Sequence, residues 1–201
     1  MSAVIVAYGA EPWLERSVRA ALGSEGVDVE VVLVDNGCTD GAVDAVAPLP
    51  GVTAVRPASN LGFAGGCHAG VLASRGDVVA FVNPDAVVAP DALDRLAAVA
   101  AEPEVAIATA GVRLADRPEA MNSAGNDVHF LGVSWSGGFG EPATEHAVRR
   151  RVCAASGAGM AMRRAVWDDL GGMEIEMFAY YEDADLSLRC WQQGLAVVYV
   201  P

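Results

Sequence analysis

The chain has 201 residues, 53% of them hydrophobic, which is enough to bury one good core in a single domain. A formal charge of -13 excludes a surface that grips nucleic acid nonspecifically, because phosphate contacts need clustered Lys and Arg. No apolar run reaches the roughly 18 residues that a bilayer-spanning helix needs. The four cysteines (Cys38, Cys67, Cys153 and Cys190) form no CxxC pair. They are expected as buried thiols in a reducing compartment rather than as a disulfide frame or a zinc site.

The first strand is expected at Ala3 to Ala7, so close to the start that a signal peptide is not expected. Tyr8-Gly9-Ala10 turns the chain, and Glu11-Pro12 opens a helix to about Leu22, with Pro12 suited to a first turn. A second strand, Glu30 to Val34, ends in Asp35-Asn36-Gly37. Thr39 or Asp40 can cap a short helix to about Ala47. Val52 to Val55 forms a third strand, and Gly62 to Gly66 leads into a helix ending near Ser74 to Gly76. Val78 to Val82 is the fourth strand, Pro90 to Ala101 a helix, and Glu104 to Thr109 the fifth strand. Strands alternating with helices at this spacing predict βαβ units and a mainly parallel sheet.

From Gly111 to Arg151 the pattern loosens into a loop-rich insertion with room for a hairpin. Val152 to Met162 is expected as a small-residue strand interrupted by Gly157 and Gly159. Arg163 to Leu170 reads as a short helix stopped by Gly171-Gly172. Tyr181 to Gln193 is a helix ended by Gly194, and Ala196 to Val200 is a last strand. The natural protein is expected to continue past Pro201.

Three predicted parallel strands end in ligand-type residues: Tyr8-Gly9, Asp35-Asn36 and Asn83 to Asp85. Parallel strand tips share one edge, where open α/β sheets bind their ligands. Asp85 is a carboxylate that could hold a hard cation against a phosphate, or the turn could simply close a strand. Asp35 could accept hydrogen bonds from a base or ribose, or serve only its own turn. The stretch NLGFAGGCHAG (Asn60 to Gly70) is glycine-rich and opens a helix, so its backbone could approach a nucleotide or diphosphate. It has neither the GxGxxG order after the first strand nor a GxxxxGK[ST] phosphate loop. His68 reads better as a core or edge histidine than as a ligand.

In YYEDADLSLRCWQQG (Tyr180 to Gly194), three acids in a first helical turn complement the helix dipole whatever else they do. Asp185 and Arg189 can pair at i, i+4. Glu182 shares a face with Leu186 and Arg189, while Asp183 sits about 100° round. Only one of the two adjacent acids is therefore expected to point at a reacting group. Arg149-Arg150-Arg151 is either a solvated cluster or a phosphate contact.

Four segments, VLVDNGCTDG (Val32 to Gly41), NLGFAGGCHAG, FVNPDA (Phe81 to Ala86) and GGMEIEMFAYYEDADLSLR (Gly171 to Arg189), together resemble glycosyltransferase family 2. The resemblance runs from Val4 to Pro201 and is nearest the bacterial rhamnosyltransferase-like group. It implies a GT-A α/β fold, with a Rossmann-like, mainly parallel sheet flanked by helices. It implies one domain with a nucleotide-binding half (1–110) and an acceptor-side half (111–201). The implied activity is inverting transfer from a nucleotide-diphospho-sugar, dTDP-rhamnose or a UDP-sugar, to a glycan or lipid-linked acceptor in cell-envelope polysaccharide synthesis. By the same resemblance Ala7, Tyr8, Gly9, Glu11, Asp35, Asn60, Gly62, Gly66, Asn83 and Pro84 line the donor. Asp85 holds Mg²⁺ or Mn²⁺, Asp183 is the base with Glu182 beside it, and Gly157, Ala158 and Gly159 frame the acceptor. A cytoplasmic location at the inner face of the membrane is implied too.

The chain departs from the family pattern at Gly9, His68 and Met173-Glu174-Ile175, where Asn, Asn and Phe-Asp-Glu are usual. Two rival readings stand beside this one. A sugar-phosphate nucleotidyltransferase would need a Gly-rich loop with Arg and a catalytic Lys after the first strand, where Tyr8-Gly9-Ala10-Glu11 stands. A non-catalytic or degenerate nucleotide-sugar-binding module would bind donor without cleaving it.

Overall fold

The computed structural model describes residues 1–201. Its strands are β1 (Ser2–Gly9), β2 (Glu30–Cys38), β3 (Val52–Val55), β4 (Val78–Val82), β5 (Val105–Ala110), β6 (Val112–Arg113), β7 (Met121–Ser123), β8 (Asn126–Val128), β9 (Ser134–Ser136), β10 (Arg150–Arg151), β11 (Gly159–Arg163) and β12 (Ala196–Val200). Its helices are α1 (Leu14–Leu22), α2 (Ala42–Val46), α3 (Gly62–Ala73), α4 (Ala92–Ala100), α5 (Arg164–Leu170) and α6 (Glu182–Gln192).

Eight strands form one sheet in the order β10-β12-β5-β11-β4-β1-β2-β3. Six of them run the same way, while β10 and β11 run opposite. The alternation of side chains along β1 explains why both faces are covered. Ala3, Ile5 and Ala7 join a core with Leu14, Val18, Val46, Leu93 and Leu96, from α1, α2 and α4. Val4 and Val6 face the opposite core, with Cys67, Val71, Trp167, Leu186 and Cys190 from α3, α5 and α6. Helices on both faces of a mostly parallel sheet leave its carboxyl edge as the open surface.

Three expectations need correction. Helix α1 starts at Leu14 rather than Glu11-Pro12, because the Glu11 carbonyl first closes a turn with the Leu14 N–H at 3.1 Å. The interrupted strand expected over Val152 to Met162 is a loop to Ala158, followed by β11, which wedges antiparallel between β4 and β5. Cys153 is exposed and Cys38 half-buried, so only Cys67 and Cys190 are the buried thiols expected; all four are free. The loop-rich insertion does hold a hairpin, β8–β9, and a second small pair, β6–β7. No helix is long and apolar enough to cross a membrane.

Candidate functional site

At the carboxyl edge, β4 stops where Pro84 cannot extend the ladder, and the Ala86 N–H donates to the Asn83 carbonyl at 3.0 Å. The buried Ser17 hydroxyl of α1 donates to the same carbonyl at 3.2 Å, pinning the turn from below. This leaves Asp85 exposed at the tip. The Asn83 N–H donates to the Ala158 carbonyl at 3.2 Å, tying the turn to the loop before β11.

That loop also holds Asp183. The Gly157 N–H donates to Asp183 Oδ2 at 2.8 Å, Asn126 Nδ2 donates to the same oxygen at 3.3 Å, and the Ala184 N–H donates to Oδ1 at 2.7 Å. The loop is fixed on its inner side by two hydroxyls: Thr109 Oγ1 accepts from the Ser156 N–H at 3.1 Å, and Ser187 Oγ accepts from the Ala155 N–H at 3.0 Å. One short segment thus links residues 83 and 183, a hundred positions apart. Burial raises the proton affinity of Asp183, and its backbone and Asn126 bonds offset only part of that rise.

Glu182 faces elsewhere. It is 5% exposed, its Oε2 has no hydrogen-bond partner, and its charge is felt by the buried Cys67 thiol of α3. The two adjacent acids therefore diverge, as helical geometry requires. Asp185 pairs with Arg189 at 2.7 Å, and Arg189 also donates to the Leu170 and Gly172 carbonyls at 2.8 and 2.7 Å. That cation joins α6 to the end of α5, where helix carbonyls lack intrahelical donors.

The chain enters α6 through a strained turn, since Phe178, Tyr180 and Tyr181 all have positive φ. Its anchor is the start of α3: the Ala64 N–H donates to the Phe178 carbonyl at 3.2 Å. Gly62, at φ +72°, makes this possible, because a Cβ there would lie 2.3 Å from that carbonyl oxygen. A Cβ at Gly66 would lie 2.6 Å from Val6 Cγ1. These two glycines of the predicted donor-lining loop let the α6 turn and β1 pack closely on α3.

Asn60 is likewise occupied within the protein, its Oδ1 accepting from Asn36 Nδ2 and the Gly62 N–H, both at 2.8 Å. Buried Asn36 completes the latch by donating to the Gly62 carbonyl at 3.0 Å and accepting from the Leu61 N–H at 2.8 Å. Asp35 serves its own turn, accepting from the Cys38 N–H at 2.9 Å, and pairs with Arg56 at 3.0 Å. Tyr8 is exposed and its ring lies against Gly37, whereas the Ala7 side chain is buried in the core. Burial raises the proton affinity of Glu11, and the negative charges of Asp85 and Asp40 add to it. His68 is a structural histidine, bonded to the Met173 carbonyl at 2.8 Å and packed on Trp167.

Three acids, Glu11, Asp40 and Asp85, thus share one negative field at the sheet edge, which suits a cation. No group of three or more His, Cys, Asp or Glu side chains converges closely enough to enclose one. The arrangement fits a cation held by Asp85 together with oxygens from a bound phosphate and water. Ser17, Arg56, Thr109, Asn126 and Ser187 were not singled out as site residues from the sequence, and Asn36 only as part of the Asp35-Asn36 strand tip. Of the residues not singled out, only Arg56 carried a signal, as a polar residue just beyond the end of β3.

The family model for "Glycosyltransferase like family 2" matches residues 1–201. The chain belongs to this family. A relative from Sinorhizobium fredii, protein y4gI, is 29% identical over 94% of the chain and 22% of its own length. The N-acetylglucosaminyl-diphospho-decaprenol L-rhamnosyltransferase of Mycobacterium tuberculosis is 27% identical over 98% of the chain and 72% of its own length. The chain thus spans about a fifth of the first relative and nearly three quarters of the second. Among solved structures, GalNAc-T7 with UDP, GalNAc and Mn²⁺ superposes with a TM-score of 0.80 at 18% identity, over 100% of this chain and 41% of that one. The fold is GT-A, and within family 2 the chain is rhamnosyltransferase-like.

Proposed function

We propose that this domain is an inverting, metal-dependent glycosyltransferase that moves a sugar from a nucleotide-diphospho-sugar to a hydroxyl of a glycan or lipid-linked acceptor. The observation that carries this reading is the 155–159 loop, bonded to Asn83 on one side and to Asp183 on the other. It ties the turn that carries the candidate metal ligand, Asp85, to the loop that holds the candidate base, Asp183, which supports a single displacement between leaving group and acceptor.

In that displacement the acceptor oxygen attacks the anomeric carbon as the bond to the diphosphate breaks, and Asp183 takes the hydroxyl proton. Such a base typically contributes 10²–10⁴-fold. Three donors fix its orientation, and burial keeps its proton affinity above that of an ordinary aspartate. Glu182, buried at the start of α6 with one carboxylate oxygen unpartnered, stands beside the base and is not assigned the proton transfer in this reading. Tyr8, Gly9, Glu11 and Asp35 with Arg56 form the nucleotide side, and Gly157 to Gly159 the acceptor side. Mg²⁺ or Mn²⁺ on Asp85 would neutralise the charge developing on the departing diphosphate.

The L-rhamnosyltransferase name of the Mycobacterium tuberculosis relative supports an activated rhamnose as donor; our reading takes dTDP-rhamnose as that donor, with a UDP-sugar as the alternative, and a role in cell-envelope polysaccharide synthesis at the cytoplasmic face of the membrane. Residues 1–110 bind donor and 111–201 bind acceptor. A thermal-shift screen of nucleotide-sugars with and without Mn²⁺, followed by an assay for released nucleoside diphosphate, tests the reading. Stabilisation by one donor, strengthened by Mn²⁺ and accompanied by release, is expected. Binding without release would make this a non-catalytic module, and no binding at all would overturn the proposal.

A further inference from the structure

The loop-rich insertion contributes Asn126, at the start of β8, to the surroundings of Asp183. We propose that Asn126 is a positioning residue for the base: its amide clamps Asp183 Oδ2 and holds that carboxylate ionised, so that the insertion sets the pH at which transfer begins. The clamp stands on geometry by itself; calling Asp183 the base rests on the transferase reading.

Geometry fixes which way the amide faces. Asn126 Nδ2 donates to the Ala155 carbonyl at 2.9 Å and to Asp183 Oδ2 at 3.3 Å. A carbonyl only accepts, so the nitrogen belongs between these two oxygens. The amide oxygen is turned to the buried Ser123 hydroxyl, 3.4 Å away. The backbone of Asn126 is held as firmly: its N–H donates to the Ala154 carbonyl at 2.7 Å, and its carbonyl accepts from the Ala154 N–H at 3.0 Å. Ser187 closes a ring with these groups, accepting from the Ala155 N–H at 3.0 Å and donating to the Asp183 carbonyl at 2.6 Å. Asp183 is thus gripped by its carboxylate and its backbone at once.

Of the three donors to the carboxylate, Gly157 and Ala184 use backbone N–H groups, and Asn126 uses a side chain. It is therefore the donor that a substitution removes without altering the helix or the loop. Burial favours the protonated acid, and each donated N–H favours the carboxylate. The titratable groups on the surrounding elements are Glu182 and the Asp185–Arg189 pair on α6, Asp127 on β8, Cys67 and His68 on α3, and the Tyr180–Tyr181 turn; residues 155–159 carry none. All of these are common to wild type and variants, so a comparison isolates the amide. Asn126→Asp keeps the shape but places a carboxylate where the N–H stood, and two carboxylates that close do not readily ionise together.

The test follows the whole chain by NMR, with aspartate carbon-13-labelled at Cγ and the Asp183 signal assigned by its loss in Asp183→Asn. Release of nucleoside diphosphate from dTDP-rhamnose is measured over the same pH range. In wild type the Asn126 side-chain amide protons should titrate together with the Asp183 carboxyl. In Asn126→Ala the carboxyl titration and the acid limb of kcat should both move up by about half to one pH unit, and in Asn126→Asp by at least about one unit. Donor KM should not move, and activity lost at low pH should return as pH rises. The NMR signals need no turnover and judge the clamp by themselves. A carboxyl titration that shifts while the acid limb stays put, or shifts in a chain that releases no product, would keep the clamp and remove Asp183 as the base. A carboxyl titration unmoved in both variants, with activity falling equally at every pH, would overturn the clamp and leave Asn126 a packing residue.

Discussion

Glu182→Gln should flatten the pH dependence of stability between pH 5 and 8. The wild-type carboxyl is buried and leaves one oxygen unpartnered, and burial is the main cause that lifts its pKa from 4.5 to about 7. A bond to its own backbone N–H opposes the rise, and the neighbouring charge of Asp183 adds to it. Because the folded value lies above the unfolded one, the stabilisation is fully present below about pH 4.5. It is lost as pH rises to about 7. At about 1.4 kcal/mol per tenfold change in proton affinity, the loss is of order 3 kcal/mol. A domain of this size loses roughly 2–4 °C per kcal/mol, so the melting temperature should fall by about 6–12 °C across the window. Glu30, Asp40 and Glu102 are held below their ordinary values, so they are ionised in both states above pH 5 and do not obscure the slope. Asp183 and Glu11 are raised and act in the same direction, so a small residual slope should survive in the variant. Calorimetric melts at pH 5, 6, 7 and 8 would read it. An identical slope in wild type and Glu182→Gln would refute the reasoning.

Asp183→Asn should leave donor binding near normal while transfer falls at least about a hundredfold. The amide cannot accept from Gly157, Asn126 and Ala184 together, so a drop in melting temperature should accompany it; unchanged turnover would remove Asp183 as the base. Asp85→Ala should abolish the gain in donor affinity that Mn²⁺ confers, and calorimetry giving equal affinities would count against its role. Asn36→Ala breaks three bonds that latch the Asn60–Gly62 loop, worth about 2–3 kcal/mol in total. Its urea midpoint should fall accordingly, and an unmoved midpoint would show the latch to be idle.

The strand tips were legible because each apolar run ends in a turn residue, and parallel topology then forces those ends to one edge. Elements β3, β4 and β12 lie where their apolar runs place them. The glycines of α3 were less legible, because a run of small residues marks no face as buried. Only the packed sheet reveals that Gly66 meets Val6 and Gly62 meets the Phe178 carbonyl. The side chains that orient the acids were hardly legible. Ser17 reaches Asn83 across 66 positions and Asn126 reaches Asp183 across 57, and nothing local marks either residue.

The loop from Ala155 to Gly159 was misread for a related reason. A small-residue stretch that satisfies its backbone through a strand ladder looks, in sequence, like one that does so through side chains. Here the donors and acceptors are Thr109, Ser187, Asp183 and the Asn83 backbone, brought from β5, α6 and the end of β4. Those elements meet only when β11 has wedged between β4 and β5. The orientation of Asp183 is therefore a consequence of sheet closure. Substitutions that loosen β11 should impair transfer as strongly as changes within the crevice itself.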